Sequence, residues 1–394
     1  MVGARSRLKI GLFLGLLGLL FVHQRARLVP RMGLAGEEVP VQLAPLTPRS
    51  WWSGQFQESW DRWVSRRLRL RGWLVRLDNQ VGMTLFGQPP TNGTLIVLGR
   101  DGTLLEKAYV DEYNRPRHLT PEHVAEMAAR ARRLDELLRG RGSRLIVVLA
   151  PGKAEMYPEL LPPRLVVPGR QRRRSMYQQV APALRRSGVA LLDVPVILRR
   201  ERKRDGTPLY AKGGTHWNHY ANALLAGRLL ALLEREEPGR FVQLAVSGSR
   251  TDGTVWATDN DLGELLNLFW PNPWPGPQTH PVFERRQEGG ARPRLRFTGD
   301  SFALQFLNFM TAERLIEPGE SLDYFRRRIR FPGPIVEPLE RGSFDAAREL
   351  AGTDAVVLVM SDCNIGHFGF GFVEAAIAGL ERAAPSSQST SSKP

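Results

Sequence analysis

The period of the apolar positions changes several times along the chain, and each change marks a boundary. Residues Ile10 to Val22 are apolar without a charged interruption and follow Arg5, Arg7 and Lys9. Positive charge ahead of an apolar run is the pattern of a signal or signal-anchor whose charged end stays in the cytoplasm. At about 1.5 Å per residue the run is short for a bilayer, and Lys9, Arg25 and Arg27 must snorkel to extend it. The triplet Gly33-Leu34-Ala35 has the small-x-small form of a cleavage site, but basic residues separate it from the apolar run. The expectation is an uncleaved membrane anchor over residues 1–30. Residues 31–50 carry Pro40, Pro45 and Pro48 with little periodicity and read as a linker.

Helical spacing begins at residue 51. Trp52, Phe56, Trp60, Trp63 and Val64 recur on one stripe, Leu68, Leu70, Leu74 and Leu77 continue it, and arginines stand opposite. Residues 51–92 are therefore expected to be an amphipathic helical lead-in packed on the following domain, with a second membrane contact as the alternative.

A domain is expected over 93–382. Thr94 to Leu105 holds two short apolar runs around Asp101-Gly102, a hairpin signal. Helices and buried strands then alternate: helix Pro121 to Arg139, strand Arg144 to Ala150, helix Ser175 to Ser187, strand Val189 to Asp193, helix Tyr220 to Glu236, and strands from Leu295 and from Ala355. This alternation predicts an α/β three-layer sandwich, a parallel sheet covered on both faces, with sites beyond the carboxyl ends of its strands. Residues 241–294, rich in Pro and Trp and weakly periodic, are expected to be an insertion capping the sheet, and 383–394 a disordered tail.

Composition narrows the function. The 394 residues carry a net charge of +15, nearly all from arginine, with no zinc-finger, homeodomain or RNA-recognition signature. No nucleic-acid partner is expected; attraction to anionic lipid or to an acidic polysaccharide remains. Cys363 is the sole cysteine, which excludes an intrachain disulfide and a cysteine-based zinc site. No metal or cofactor is expected.

Two segments carry the candidate chemistry. Leu295 to Phe302 (Leu-Arg-Phe-Thr-Gly-Asp-Ser-Phe) reads as a strand turning at Gly299 to present Ser301 at the start of a helix. A serine needs a base to become a nucleophile, and a helix N-terminus favours a developing oxyanion. His216, within Tyr210-Ala-Lys-Gly-Gly-Thr-His-Trp-Asn218, is the candidate base. Both residues fall in loops after different strands, so they can meet at one sheet edge. Taken alone, Gly-Asp-Ser is an ordinary turn and N-cap, and a histidine beside Trp217 is an ordinary packed polar residue.

Together these blocks resemble the SGNH hydrolase-like alginate O-acetyltransferases of the AlgX/AlgJ type. Tyr210 to Trp217 is similar to that family's Tyr-x-Lys-x-Asp-x-His-Trp block, Pro151 to Pro158 with Leu161-Pro162 to its Pro-x-Lys-x-x-x-Tyr-Pro segment, and Thr94 to Leu105 to its Gly-x-Asp-Gly-x-Leu hairpin. Asp261-Leu262 corresponds to its Asp-Leu element and Gly299 to Phe302 to its serine block, all in the family's order. The resemblance implies an SGNH or flavodoxin-like domain on the periplasmic side of the inner membrane. It further implies acetylation of a cell-envelope or exported polysaccharide, with the acyl donor supplied by a membrane protein partner. Ser301 would be the nucleophile and His216 the base.

The family's orienting aspartate, two residues before the histidine, is absent: position 214 is glycine. Three readings follow. Asp193, Asp205 or Asp362 supplies the carboxylate from another loop; a Ser-His dyad suffices; or the site is inactive and the domain is a glycan-binding scaffold. A carbohydrate esterase of the same fold is the further alternative. Only six lysines stand against 49 arginines, and Lys153 and Lys212 lie in the matched blocks. A compact ammonium is expected there, facing a carboxylate, backbone carbonyls or substrate. Tyr157, Trp217 and Asn218 complete the candidate substrate contacts.

Overall fold

A computed structural model describes residues 4–36, 41–90, 95–170, 173–271, 273–286, 289–318, 321–324, 327–330, 335–338 and 344–383. The tail expected at 383–394 lies, apart from residue 383, outside them. Two units are distinguished, Met1–Thr94 with Gly263–Asn272, and Leu95–Leu262 with Pro273–Pro394.

The first unit contains helices α1 (Ala4–Ala26), α2 (Pro48–Trp52), α3 (Gln55–Arg67) and α4 (Arg71–Phe86). Thr47 and Ser50 form a capping box that starts α2, Gly54 in a left-handed conformation separates α2 from α3, and α4 ends at left-handed Gly87. The expected anchor is thus a helix, but no helix of the described residues is long and apolar enough to cross a membrane. The apolar run inside α1 is about 20 Å long against a hydrocarbon core of about 30 Å. The expected linker is not a free tether: Trp73 Nε1 donates to Pro30 O at 3.0 Å and Arg31 to Arg66 O at 2.7 Å. A side chain at Gly72 would stand 2.0 Å from Met32 O. The helical stretch expected over 51–92 is divided among the end of α2, α3 and α4. Among the residues before 91 whose burial is described, the buried ones are His23, Ser50, Ser59, Gly72 and Asn79, with no large apolar side chain among them.

The second unit opens with the expected hairpin, β1 (Ile96–Leu98) and β2 (Leu104–Glu106), turning at Asp101 with φ 54°. Then come α5 (Lys107–Asn114), α6 (Pro121–Arg139), β3 (Leu145–Ala150), α7 (Lys153–Met156), α8 (Met176–Ser187), β4 (Ala190–Leu192), α9 (Val194–Asp205) and α10 (His219–Glu234). Thr120 caps α6 and a Ser175/Gln178 capping box starts α8, which is why these boundaries were legible. Residues 241–294 hold an antiparallel pair, β5 (Gln243–Asp252) and β6 (Gln278–Arg286), and α11 (Asp261–Leu265). After them follow β7 (Leu295–Gly299), α12 (Ser301–Ala312), β8 (Ser321–Tyr324), β9 (Arg327–Arg330), β10 (Ile335–Pro338), α13 (Ala346–Glu349), β11 (Ala355–Ser361) and α14 (Phe372–Arg382).

The main sheet runs β10-β9-β8-β7-β11-β3-β4. From β8 to β4 all neighbours are parallel, while β9 and β10 are antiparallel additions. Strand side chains alternate between faces. Ile146, Val148, Val357, Val359 and Phe297 face α9, α10 and α12; Leu145, Val147, Leu149, Val356, Leu358 and Met360 face α6, α8 and α14. The result is the three-layer α/β sandwich expected. Its central strands β7, β11 and β3 send their carboxyl ends into the turns at Asp300-Ser301, Asp362-Cys363-Asn364 and Pro151-Gly152-Lys153.

Candidate active site

The turn after β7 is built by glycine. Gly299 has φ 152°, and a Cβ there would lie 2.1 Å from the Val359 carbonyl oxygen of β11. Strand and helix can meet this sharply only without a side chain. Asp300 caps α12, accepting the Phe302 N–H at 3.1 Å through Oδ1. Its Oδ2 accepts from Ser361 N at 2.8 Å, Ser361 Oγ at 2.6 Å and Asn364 Nδ2 at 2.9 Å. The turn after β7 is therefore clamped to the end of β11. Ser301 follows, half-buried, as the first residue of α12.

His216 comes from the loop between α9 and α10, which a bridge between Tyr210 and Trp217 closes on itself. Trp217 is wholly buried, donates to Asn222 Oδ1 at 2.7 Å and packs on Phe302 with ring centroids 4.8 Å apart. Asn218 caps α10 and holds Pro208 O at 2.8 Å. The His216 ring also meets Phe302 edge-on, at 4.7 Å. The histidine loop and the turn holding Ser301 thereby meet at one phenylalanine, the residue immediately after Ser301. No hydrogen bond joins Ser301 to His216 in this structure: Nε2 is buried and has no partner.

The other ring nitrogen is engaged by a residue that reading the sequence did not propose for the role. Asp261 Oδ2 lies 3.0 Å from His216 Nδ1, and Asp261 Oδ1 accepts the N–H groups of Thr215 at 2.8 Å and Leu262 at 2.7 Å. An ionised carboxylate only accepts, so it places the proton on Nδ1 and leaves Nε2 with a lone pair. The same loop explains Gly214. A Cβ there would stand 2.9 Å from Asp259 O and 3.0 Å from Thr258 O, and one at Gly213 would stand 2.1 Å from Asn260 Oδ1. Backbone from the segment expected as a cap fills the space of the absent aspartate and brings a replacement carboxylate with it. Gly214→Asp is accordingly expected to destabilise the fold by about 1–3 kcal/mol through overpacking. Thermal or urea unfolding checks this, and the change should not restore activity when Asp261 is removed.

The acids proposed from sequence lie elsewhere. Asp193 accepts from Tyr177 OH at 2.7 Å and pairs with Arg185. Asp205 is held by Thr207 and Arg204. Asp362 Oδ2 accepts Gly152 N–H at 2.8 Å, while its Oδ1 is buried without a partner. Burial pushes the Asp362 carboxyl up to about 8, helped by the charges of Glu155 and Glu112. The unfolded chain, with an ordinary carboxyl near 3.9, has lost this proton where the folded chain still holds it. Stability should then fall as pH rises between those values, by about 1.4 kcal/mol per pH unit. Melting temperature measured from pH 5 to 7 is expected to drop, and less so in Asp362→Asn.

The residues proposed as substrate contacts are placed as follows, with Lys153 on backbone carbonyls, one of the partners expected for it. Lys153 is 3% exposed, with Nζ donating to Leu104 O at 2.8 Å and Ala211 O at 2.7 Å. It staples the histidine loop to β2. Burial lowers its ammonium to about 7, against the pull of Asp261 and Asp259. Tyr157 OH accepts Leu209 N–H at 3.1 Å and its ring lies under Arg202, while Trp217 and Asn218 are core and cap. Lys212 is half-buried, and its backbone carbonyl accepts Leu104 N–H at 2.9 Å.

Glu106, also not singled out from the sequence, stands at the end of β2. Burial raises its carboxyl, and its electrostatic partners are His216, Asp261 and Asp300. Asp259, with Oδ2 on His219 N–H at 3.2 Å, is pushed up to about 7 by burial. His216 Nε2, Asp259 Oδ1 and Asn260 Oδ1 are all buried without partners, a concentration of unused polar atoms typical of a site that meets ligand or water. Beside the clamp, a cleft of about 820 Å³ is lined by Lys107, Arg115, Arg117, Arg164, Cys363 and Asn364 among others. Among the described residues no group of His, Cys, Asp and Glu could hold a metal ion.

Residues 96–311 match the family described as SGNH hydrolase-like domain, acetyltransferase AlgX. No curated protein matches the chain. Among solved structures, the O-acetyltransferase domain of Pseudomonas putida AlgJ is similar at 18% identity, covering 73% of this chain and 98% of that one, with a TM-score of 0.46. Pseudomonas aeruginosa AlgX is similar at 16% identity over 72% of this chain and 67% of that one, TM-score 0.41. Bacillus cereus PatB1 is similar at 12% identity over 68% and 96%, TM-score 0.41.

Proposed function

The chain belongs to the AlgX family of SGNH hydrolase-like acetyltransferases, and we propose on that premise that it moves an acetyl group to a polysaccharide hydroxyl through an acyl-enzyme on Ser301. The observation that carries this reading is the Asp261 carboxylate 3.0 Å from His216 Nδ1, with Nε2 on the other side of the ring buried and unbonded. Nε2 removes the Ser301 proton as Oγ attacks the donor carbonyl, and the first turn of α12 favours the oxyanion. The imidazolium, steadied by Asp261, returns the proton to the leaving group. In the second half an acceptor hydroxyl gives its proton to Nε2 and attacks the serine ester, which regenerates Ser301.

The acceptor is a cell-envelope or exported polysaccharide, with Lys212 as its candidate contact. The acyl donor comes from a membrane protein partner, on the periplasmic side of the inner membrane. Support for this reading is the resemblance to the acetyltransferase family and the basic N-terminal segment. The non-catalytic reading loses its main support, since a carboxylate does meet the histidine.

Incubation with a small acetyl ester, followed by peptide mass mapping, tests the proposal. One acetyl group is expected on the peptide containing Ser301, discharged faster when oligosaccharide is added. No adduct at any pH between about 6 and 9 would return the protein to the scaffold reading. Discharge at one rate with and without oligosaccharide would make it an esterase.

A further inference from the structure

We propose that the N-terminal unit is a seat for an anionic bilayer surface, with α3 lying among the lipid headgroups beside α1. The inference is independent of the acyl-transfer reading. Helices α1, α3 and α4 carry many large apolar residues, yet every large apolar side chain before 91 whose burial is described is at least partly exposed. A helical segment that orders apolar surface without covering it needs an apolar medium or partner.

The occupant follows from geometry and charge. On α3 and its approach, Trp51, Phe56, Trp60 and Trp63 form a ladder with successive ring centroids 6.2, 6.0 and 5.5 Å apart, closed by the Arg67 guanidinium 3.8 Å from the Trp63 ring. Trp52 beside it is 86% exposed. Stacked tryptophan with arginine is the composition of a membrane interface, one end of each side chain apolar and the other wet. Gln24 at the end of α1 donates to Arg67 O at 3.1 Å and accepts Arg69 N–H at 3.0 Å, fixing the apolar helix to the end of the ladder.

On α1, Leu12, Phe13 and Leu14 are each more than half exposed. At about 100° per residue they point to three sides, so no single partner helix could cover them, whereas lipid can. Residues 1–90 hold thirteen Lys and Arg against five Asp and Glu, a net +8 within the chain's +15. That charge repels a second copy of the same unit and attracts phosphatidylglycerol.

Flotation of the full-length protein on vesicles, either pure phosphatidylcholine or roughly 3:1 phosphatidylcholine to phosphatidylglycerol, tests the seat. Stronger binding to the anionic vesicles is expected. Arg62→Gln with Arg67→Gln should weaken binding about 30-fold on the anionic vesicles and leave neutral ones unchanged. Replacing Trp51, Trp52 and Trp60 by serine should weaken binding to both. Lipids brominated near the headgroup should quench tryptophan fluorescence more than lipids brominated at the chain ends. The replaced side chains are at least partly exposed, so circular dichroism and the melting curve should not change. The proposal fails if both variants bind like the parent, which would assign binding to α1 alone, or if the parent has no preference for anionic vesicles. It fails equally if the parent is a lipid-free dimer that the serine variant dissociates.

Discussion

Asparagine in place of Asp261 is expected to lower turnover about 10⁴-fold while leaving the melting temperature within a few degrees of the parent, by analogy with the acid-to-amide change in serine proteases. The carboxylate holds the imidazole through Nδ1 and is itself fixed by the Thr215 and Leu262 N–H groups. An amide in that position can turn its NH₂ toward Nδ1 and so force the proton onto Nε2, the nitrogen that must act as base. The loss should fall on kcat and leave KM little changed, because Asp261 serves the transition state through the histidine. Activity that survives undiminished would mean that a backbone carbonyl or another acid, with Glu106 the first to examine, does the orienting.

The second large effect is structural. Gly299→Ala is expected to destabilise the second unit by about 3 kcal/mol or more, and to abolish soluble expression where the margin is small. Two penalties combine: φ 152° is a conformation that residues with a Cβ avoid, and the added carbon would stand 2.1 Å from a carbonyl oxygen in the centre of the sheet. β7 cannot retreat, because β11 and β8 hold it on both sides. Urea unfolding of the purified variant checks the figure; a loss under about 1 kcal/mol would mean that the turn relaxes more easily than its packing suggests.

Legibility followed periodicity and caps. β3, β11, α6 and α8 were readable because their apolar spacing is regular and Thr120 or Ser175 marks a start. β8, β9 and β10 were not: Ser-Leu-Asp-Tyr, Arg-Arg-Ile-Arg and Ile-Val-Glu-Pro are four-residue stretches without a clear alternation. α9 hid behind its charged run from Arg199 to Asp205. At the site, Ser301 and His216 were legible from their local turns. Asp261 was not, since it reaches His216 across 45 positions and no local pattern announces such a contact. Two signals did point to it, the paired glycines 213 and 214 where a side chain was expected, and the Asp-Leu block among the family's motifs.

The loop that covers Gly214 lies between the two strands of the β5–β6 hairpin. A trimmed version of the protein, cut back to the layered sheet and its helices, would keep serine and imidazole while discarding the group that sets the imidazole's tautomer. If the proposed acyl transfer holds, the hairpin belongs to the smallest active piece of this chain, and a designer seeking a smaller catalyst would have to write an acid back into the histidine loop and clear the backbone now standing in its way.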